Sequence, residues 1–460
     1  MNSRKSRKLA YFDGIVMNLG ALGQTVSFLQ GKEQLLMGQL LEKVLSDVNL
    51  IAATQKVVDN DGAPGIDKMT VQEGRLYFSK HREDIKEAIR TRTYKPKPVK
   101  RVEIPKPDGG KRNLGIPTVI DRIIQQAINQ VLTPIYETQF SEFSYGFRPK
   151  RSCHMAIKKS LEYLNEGYKV VVDMDLEKFF DKVNHDKLMQ ILSLTIDDGD
   201  LLSIIRKYLV SGIMVDGIVI VDKEEGTPQG GPMSPLLANI MLNELDHELT
   251  RRGHRFVRYA DDFMIFIKSP RAGQRVLEST TEYIEKKLKL KVNKFKSQVD
   301  YINNGIKFLG FGFYYNPRRK QIRCRVHDKS IKRIKTKLKK LTLRSWSVSM
   351  DYRLLKIRQT VIGWINYYKL ADMKDLLDKL DKRVRVRLRI CIWKSWKKIS
   401  TKYKALIKLG LNKYKAWEYA NSRKSYMRVA SSFILTKTIT NARLKQRGLI
   451  SMSEYYANIN

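Results

Sequence analysis

From Met37 to Val58 the apolar residues Leu40, Leu41, Val44, Leu45, Val48 and Ile51 recur at helical spacing, and Asp61-Gly62-Ala63-Pro64-Gly65 then breaks the pattern. Further helices are predicted from about Arg82 to Arg90 and over Asp121 to Val131. Arg101 to Ile104, Pro105 to Gly110 and Lys111 to Ile116 read as strand, Pro-Asp-Gly turn and strand, a basic hairpin. The run Val170-Val171-Val172 predicts a buried strand that ends in Asp173, Met174 and Asp175. A glycine-rich turn follows at Thr227 to Pro232. Ser234 is the expected N-cap of the next helix and Pro235 its first residue, with Leu237, Met241, Leu245 and Leu249 on one stripe until Gly253. Phe256-Val257 and Phe263 to Ile267 then predict two short strands joined by a tight turn at Tyr259 to Asp262.

Helices alternate with short strands through about residue 315, which predicts an α/β or α+β half. From Asp328 onwards strand signals fade. Lys332, Lys335, Lys339 and Lys340 interleave with Ile331, Ile334, Leu338 and Leu341, an amphipathic basic helix. A boundary is expected between Asn316 and Asp328, where Pro317, Arg318, Arg319 and Lys320 read as a charged connector. Arg383 to Arg389 alternates like a strand with one basic face. The wider set Leu377, Leu380, Val384, Leu388 and Cys391 favours a helix instead.

Charge then narrows the class of partner. The 460 residues suffice for roughly three domains of about 150 residues each. A net charge of +40, from 87 basic and 47 acidic side chains, would only add self-repulsion without a polyanion to meet it. Nucleic acid is the expected partner, ahead of a membrane surface or a ribosomal scaffold. No apolar run approaches the roughly 20 residues of a spanning helix. Cys153, Cys324 and Cys391 are scattered and odd in number, so neither a disulfide framework nor a Cys-x-x-Cys metal site is expected, and the protein reads as cytoplasmic. Arg4, Lys5, Arg7 and Lys8 precede a mildly apolar stretch that Asp13, Asn18, Gln24 and Gln30 interrupt, so residues 1 to about 35 are read as a leader of open purpose.

Asp261 and Asp262 are adjacent carboxylates at the tip of an apolar hairpin. They repel each other unless a cation compensates them, although a solvated turn is the plain alternative. Nucleotidyl transfer needs two divalent ions about 4 Å apart, held by hard oxygen ligands from separate elements. Asp175, at the end of an apolar strand, supplies a carboxylate from a second element.

With these carboxylates in place the chain resembles the reverse transcriptases of group II introns, and the compact bacterial maturases among them. The matching blocks are Ile104 to Pro117 (IPKPDGGKRNLGIP), Tyr145 to Pro149 (YGFRP), Asp173 to Asp186 (DMDLEKFFDKVNHD), Gly226 to Pro235 (GTPQGGPMSP), Tyr259 to Asp262 (YADD), Leu290 to Ser297 (LKVNKFKS) and Lys307 to Phe313 (KFLGFGF), in the family's order. The resemblance implies an α+β right-hand fold. Its parts would be an N-terminal extension and the start of the fingers over 36–100, fingers and palm with a small antiparallel sheet over 101–315, a helical thumb over 316–400 and a helical maturase domain over 401–460. A maturase start near residue 345 is the alternative. Asp59 to Asp67 resembles the extension's template-covering loop, and Gly363 to Tyr368 (GWINYY) is the best local maturase signature.

The same resemblance assigns roles. Asp175, Asp261 and Asp262 would be the metal triad, with the Leu176 carbonyl as a further ligand; Asp173 and Asp181 would be structural. Lys106 and Arg112 would hold the incoming triphosphate, a point charge and a planar fork that suit phosphate oxygens. Phe180 would exclude a 2′-hydroxyl by bulk, with Phe179 as its competitor, since strand alternation sends one of the two rings to the core. Gln229 and Gly230 would line the nascent base pair, and Lys296 would protonate the pyrophosphate leaving group, with Lys294 the weaker choice. Phe308, Leu309 and Gly310 would grip the primer. Trp346, Trp364, Trp393, Trp396 and Tyr403 among basic helices suit an RNA surface, although most of the tryptophans fit a core.

The expected function is RNA-directed DNA polymerisation with two Mg2+ ions, Mn2+ also fitting an oxygen site, together with binding of the parent group II intron RNA for splicing and retrohoming. RNA template, DNA primer and deoxynucleoside triphosphates are the expected partners, with no membrane. The alternatives are a domesticated reverse transcriptase used in phage defence or repair, and a splicing-only RNA-binding maturase. Two departures stand out. Pro232-Met233 replaces an Asn-Leu pair of close relatives, which bears on fidelity or template preference. The sequence runs to Asn460 without the paired cysteines and histidines of an appended nuclease, so second-strand cleavage is not expected.

Overall fold

The computed structural model describes residues 39–105, 110–215, 218–220, 225–226 and 230–459. The chain forms two compact units, one of residues up to Tyr163 with Tyr168–Asp300, the other of Leu164–Gly167 with Tyr301 onwards. The leader, Lys106 and Gln229 lie outside the described residues.

The first unit opens with α1 (Leu40–Leu45), α2 (Asp47–Asn60), α3 (Val71–Lys80) and α4 (Arg82–Arg90). One continuous helix was expected where α1 and α2 stand. Ser46 instead takes an extended conformation (φ −60°, ψ 141°), which resets the helical phase. Val48 and Ile51 therefore turn to solvent, and Leu50, Ala53 and Val57 face the core. The basic hairpin forms from β1 (Val99–Pro105) and β2 (Lys111–Ile116), with Ile104 opposite Arg112. Thr118 caps α5 (Val119–Glu137) by accepting from the Asp121 amide, and Ile123, Ile124, Ala127, Ile128 and Leu132 bury its inner face. The loop after α2 is pinned there: Arg122 Nη2 donates to the Ala63 carbonyl at 3.0 Å, and a Cβ on Gly65 would stand 2.8 Å from Thr118 Cα.

After α6 (Cys153–Asn165) come β3 (Val170–Met174), α7 (His185–Ser193), α8 (Gly199–Leu209), β4 (Ile213–Val215), β5 (Ile218–Ile220) and α9 (Ser234–Arg251). Helix α9 starts differently from its expected cap. Met233 holds the cap position with helical torsions, and Ser234 is the first helical residue. The Gly231 carbonyl already accepts from the Ser234 amide at 3.3 Å, so the glycine turn winds straight into the helix. The predicted stripe of Leu237, Met241, Leu245 and Leu249 is buried. Strands β6 (Arg255–Tyr259) and β7 (Asp262–Ile267), helix α10 (Pro270–Lys286) and β8 (Gln298–Tyr301) follow. Two four-stranded sheets result, ordered β2-β1-β4-β5 and β6-β7-β3-β8, the latter antiparallel between β6, β7 and β3. Phe256, Phe263 and Phe266 are almost wholly buried on this second sheet, each contributing about 1.5–3 kcal/mol of apolar transfer.

In the second unit β9 (Lys307–Phe308), β10 (Phe311–Asn316) and β11 (Gln321–Val326) form a sheet ordered β11-β10-β9. The expected connector at Asn316 to Asp328 is therefore mostly hairpin. Asn316 pairs with Gln321, and Pro317 to Lys320 make the turn, with Lys320 at φ 50°. Charge alone cannot distinguish a solvated turn from a linker; the cross-strand pairing decides it. Helices α11 (Asp328–Leu341), α12 (Met350–Tyr368), α13 (Lys374–Ser395), α14 (Ile399–Lys408), α15 (Lys413–Ala420), α16 (Tyr426–Ala430), α17 (Phe433–Thr438), α18 (Asn441–Gln446) and α19 (Met452–Ile459) complete it. The ambiguous arginine segment is helical: Leu377, Leu380, Val384, Leu388 and Cys391 are buried along α13, while Val386, which a strand would bury with them, is only half-buried. Among the described residues no helix is long and apolar enough to cross a membrane.

Candidate active site

Tyr259 pairs with Asp262, so Ala260 and Asp261 alone make the β6–β7 turn, with Ala260 at φ 60°. Asp261 and Asp262 are exposed, whereas Phe263 to Phe266 behind them are buried. In the neighbouring strand Met174 pairs with Phe263. Asp175 is the residue that follows this last pair and Asp262 the one that precedes it, so both stand at the same end of the sheet. Three carboxylates from distant sequence thus share one end of the sheet. Among the described residues, however, no group of three or more His, Cys, Asp or Glu side chains forms a finished metal cage. Lys296 Nζ stands 3.2 Å from Asp175 Oδ2 instead. The donor set is nevertheless what a hard divalent ion takes: carboxylate oxygens from two elements, at an open edge where an ammonium already answers the need for positive charge.

Asp175 is braced by the chain that follows α10. Its amide donates to Ser297 Oγ at 3.1 Å, its carbonyl accepts from the Asn293 amide at 2.8 Å, and Oδ2 accepts from Asn293 Nδ2 at 3.1 Å. Leu176, buried, bridges to Val292 across the same gap. Sequence reasoning passed over Asn293 and Ser297, although both lie inside the block LKVNKFKS; their polar character in a short loop was the available signal.

Phe179 and Phe180 sit on a 3-10 turn, Phe179–Asp181, rather than on the strand. Their rings meet edge-on at 5.2 Å; Phe179 is in the core and Phe180 is left partly open. The two rings diverge because the turn rotates successive side chains, not because a strand alternates them. Gly230 has φ 125°, and a Cβ there would stand 2.5 Å from the Gly115 carbonyl of β2, so only glycine lets this turn lie against the hairpin. His185, also unremarked in the sequence, is fully buried with Nε2 2.6 Å from the Gly226 carbonyl, bracing the start of the same turn.

In the second unit Phe308 is buried, and Leu309 and Gly310 turn tightly at φ 50° and 83°. The GWINYY end of α12 holds that turn. Tyr367 Oη donates to the Leu309 carbonyl at 3.0 Å, Ser330 Oγ to the Gly310 carbonyl at 3.3 Å, and Tyr368 Oη to Ser330 Oγ at 3.0 Å. Trp393 is core, and Trp346, Trp364 and Trp396 are half-buried. Tyr414 and Trp417, exposed on one face of α15, were missed by the sequence reading. Between Lys397 and Arg447 the sequence has one carboxylate, Glu418, so these rings stand in a basic field.

Residues 104–313 match the family described as reverse transcriptase (RNA-dependent DNA polymerase), and residues 331–410 match the group II intron, maturase-specific domain. The chain is 32% identical over 304 residues to protein YkfC of Escherichia coli, covering 58% of this chain and 79% of that protein. It is 31% identical over 290 residues to the group II intron-encoded protein LtrA of Lactococcus lactis subsp. cremoris, covering 49% of this chain and 48% of LtrA. To the putative COX1/OXI3 intron 2 protein of Saccharomyces cerevisiae it is 28% identical over 386 residues, 70% of this chain and 44% of that one. The chain thus spans less than half the length of the latter two. With both domains in order on one polypeptide, the chain belongs to the group II intron-encoded reverse transcriptase and maturase family, RNA-directed DNA polymerases that also carry the maturase domain.

Proposed function

We propose that Asp175, Asp261 and Asp262 are the metal ligands of this polymerase and that it extends a DNA primer on an RNA template with two Mg2+ ions, Mn2+ being able to substitute at oxygen ligands. The observation that carries the reading is the register: Met174 opposite Phe263 and Tyr259 opposite Asp262 bring the three carboxylates to one strand end. Bound divalent ions would lower the pKa of the primer hydroxyl and neutralise the leaving pyrophosphate. The Leu176 carbonyl completes the proposed ligand set. Lys106 and Arg112 orient the triphosphate, and Gln229 and Gly230 line the new base pair. Phe180, partly open beside the buried Phe179, takes the position against the sugar. Lys296, whose Nζ stands 3.2 Å from Asp175 Oδ2, would supply a proton to the leaving group. Phe308, Leu309 and Gly310 hold the primer.

The basic second unit, with Tyr414 and Trp417 exposed, suits the parent intron RNA and supports a role in splicing and retrohoming. Three cysteines without a disulfide suit the cytoplasm. The test is primer extension on RNA by Asp261→Asn and Asp262→Asn variants. Synthesis should disappear while RNA binding persists; retained synthesis would overturn the assignment.

A further inference from the structure

A fully buried ion pair lies behind the Asp261–Asp262 turn. The side chains of Arg258 on β6 and Asp246 on α9 are both 0% exposed. Arg258 Nε donates to Asp246 Oδ1 and Oδ2 at 2.8 and 3.0 Å, and Nη2 donates to Oδ2 at 2.6 Å. The remaining nitrogen reaches forward. Nη1 donates to Asn239 Oδ1 at 2.9 Å and to the Ala260 carbonyl, inside the turn, at 3.0 Å. Asn239 Nδ2 in turn donates to the Gly146 carbonyl at 2.8 Å. Gly146 presses on the turn from the other side, since a Cβ there would stand 2.3 Å from the Ala260 nitrogen. The backbone of Arg258 is gripped as well: its amide donates to the Phe143 carbonyl, and its carbonyl accepts from the Tyr145 amide, both at 2.9 Å.

Stability alone does not call for such a pair, because desolvating two charges largely cancels their attraction and apolar residues of similar volume often serve as well. What apolar residues cannot supply is a donor aimed at one carbonyl. Ala260 needs one: at φ 60° it occupies a backbone region that L side chains rarely adopt. We propose that Arg258, oriented by Asp246 and Asn239, is a positioning residue of the polymerase site. Its hydrogen bond to the Ala260 carbonyl holds the turn in the left-handed conformation that aims Asp261 and Asp262 at a common ion. This rests on the reading of those two aspartates as metal ligands.

The experiment is a Mg2+ titration of the full chain, its midpoint read by isothermal titration calorimetry and, in parallel, by primer extension. Arg258→Lys keeps the charge that buried Asp246 requires but loses the fork that reaches Ala260. It should raise the Mg2+ midpoint about 10–100-fold, the range for residues that orient metal ligands, with the KM for deoxynucleotide at saturating metal little changed. Ala260→Gly, added to Arg258→Lys, should recover much of that midpoint, because glycine adopts a positive φ without the tether. A purely structural role for the ion pair would not respond to a change at residue 260. If Arg258→Lys does not fold by circular dichroism, Asn239→Ala, which leaves the ion pair intact, is read in the same titration. A folded variant with an unshifted midpoint, or a shifted midpoint that Ala260→Gly leaves unrepaired, overturns the proposal. Inactive Asp261→Asn beside an unshifted Arg258→Lys sinks the positioning role alone, whereas active Asp261→Asn and Asp262→Asn sink the metal reading beneath it.

Discussion

Asn293 Nδ2 donates to Asp175 Oδ2 at 3.1 Å from 118 positions further along the chain, while Lys296 Nζ shares the same oxygen at 3.2 Å. An amide can orient a carboxylate beside a cation without competing with it. An ammonium competes.

The two side chains should therefore respond in opposite ways. Asn293→Ala should raise the Mg2+ midpoint for synthesis about 10–100-fold, since it frees a ligand that was aimed. Lys296→Gln should leave that midpoint unchanged or lower it and slow single-turnover incorporation by roughly 10²–10⁴, the usual worth of a positioned acid. Equal midpoints in both variants would contradict this division of labour.

Phe179 and Phe180 should separate stability from selectivity. Phe179→Ala empties a core position and should cost about 3–5 kcal/mol of unfolding free energy. Phe180→Val should leave thermal unfolding nearly intact and let ribonucleotides compete with deoxynucleotides, read as a ratio of kcat/KM values. Unchanged sugar discrimination would remove Phe180 from the gate.

Gly310→Ala should destabilise the protein by about 1–3 kcal/mol, because residue 310 sits at φ 83° and the added Cβ would lie 2.5 Å from Tyr368 Oη. In a Tyr368→Phe background the 2.5 Å collision is gone, and the backbone cost and a 3.2 Å approach to Ser330 Oγ remain. The double-mutant cycle, read from thermal or denaturant unfolding, should show a positive coupling between the two positions.

Trp417→Ala and Tyr414→Ala should each weaken binding of single-stranded RNA by about 1–3 kcal/mol with little change in salt slope, as expected for stacking. Lys413→Ala and Lys415→Ala should instead flatten the slope of log affinity against log salt by about 0.7 for each phosphate that is no longer neutralised. Fluorescence anisotropy across a salt series distinguishes the two effects.

Asp372 should mark the acid limit of the second unit. Burial pushes its carboxyl up, but hydrogen bonds from Arg323 and Tyr314 more than offset this, so it titrates below its ordinary value of 3.8. A depressed carboxylate contributes stability that is present above the unfolded value and lost as pH falls through the folded one. Stability should therefore drop below about pH 4, and Asp372→Asn should lower stability at neutral pH while flattening that acid limb, as followed by circular dichroism.

Much of this protein was legible locally. Leu377 to Cys391 repeats at helical spacing whatever its surroundings, Asp108-Gly109 marks the hairpin, and the ordered blocks from Ile104 to Phe313 identify the polymerase family and single out three candidate carboxylates. The same local chemistry could not foresee the break at Ser46, the hairpin at Pro317 to Lys320, or which of two adjacent phenylalanines is buried, because polar and apolar neighbours read alike in either setting. Strand register decided the rest. Pairing Met174 with Phe263 brings Asp175 to the sheet end that carries the Asp261–Asp262 turn, and separate contacts, Asn293 on Asp175 and Arg258 on the Ala260 carbonyl, hold that end in place. Periodicity reports which face of an element is apolar; only the packed fold selects which distant element that face meets, since the hydrogen bonds that align them join residues with no sequence relation to one another.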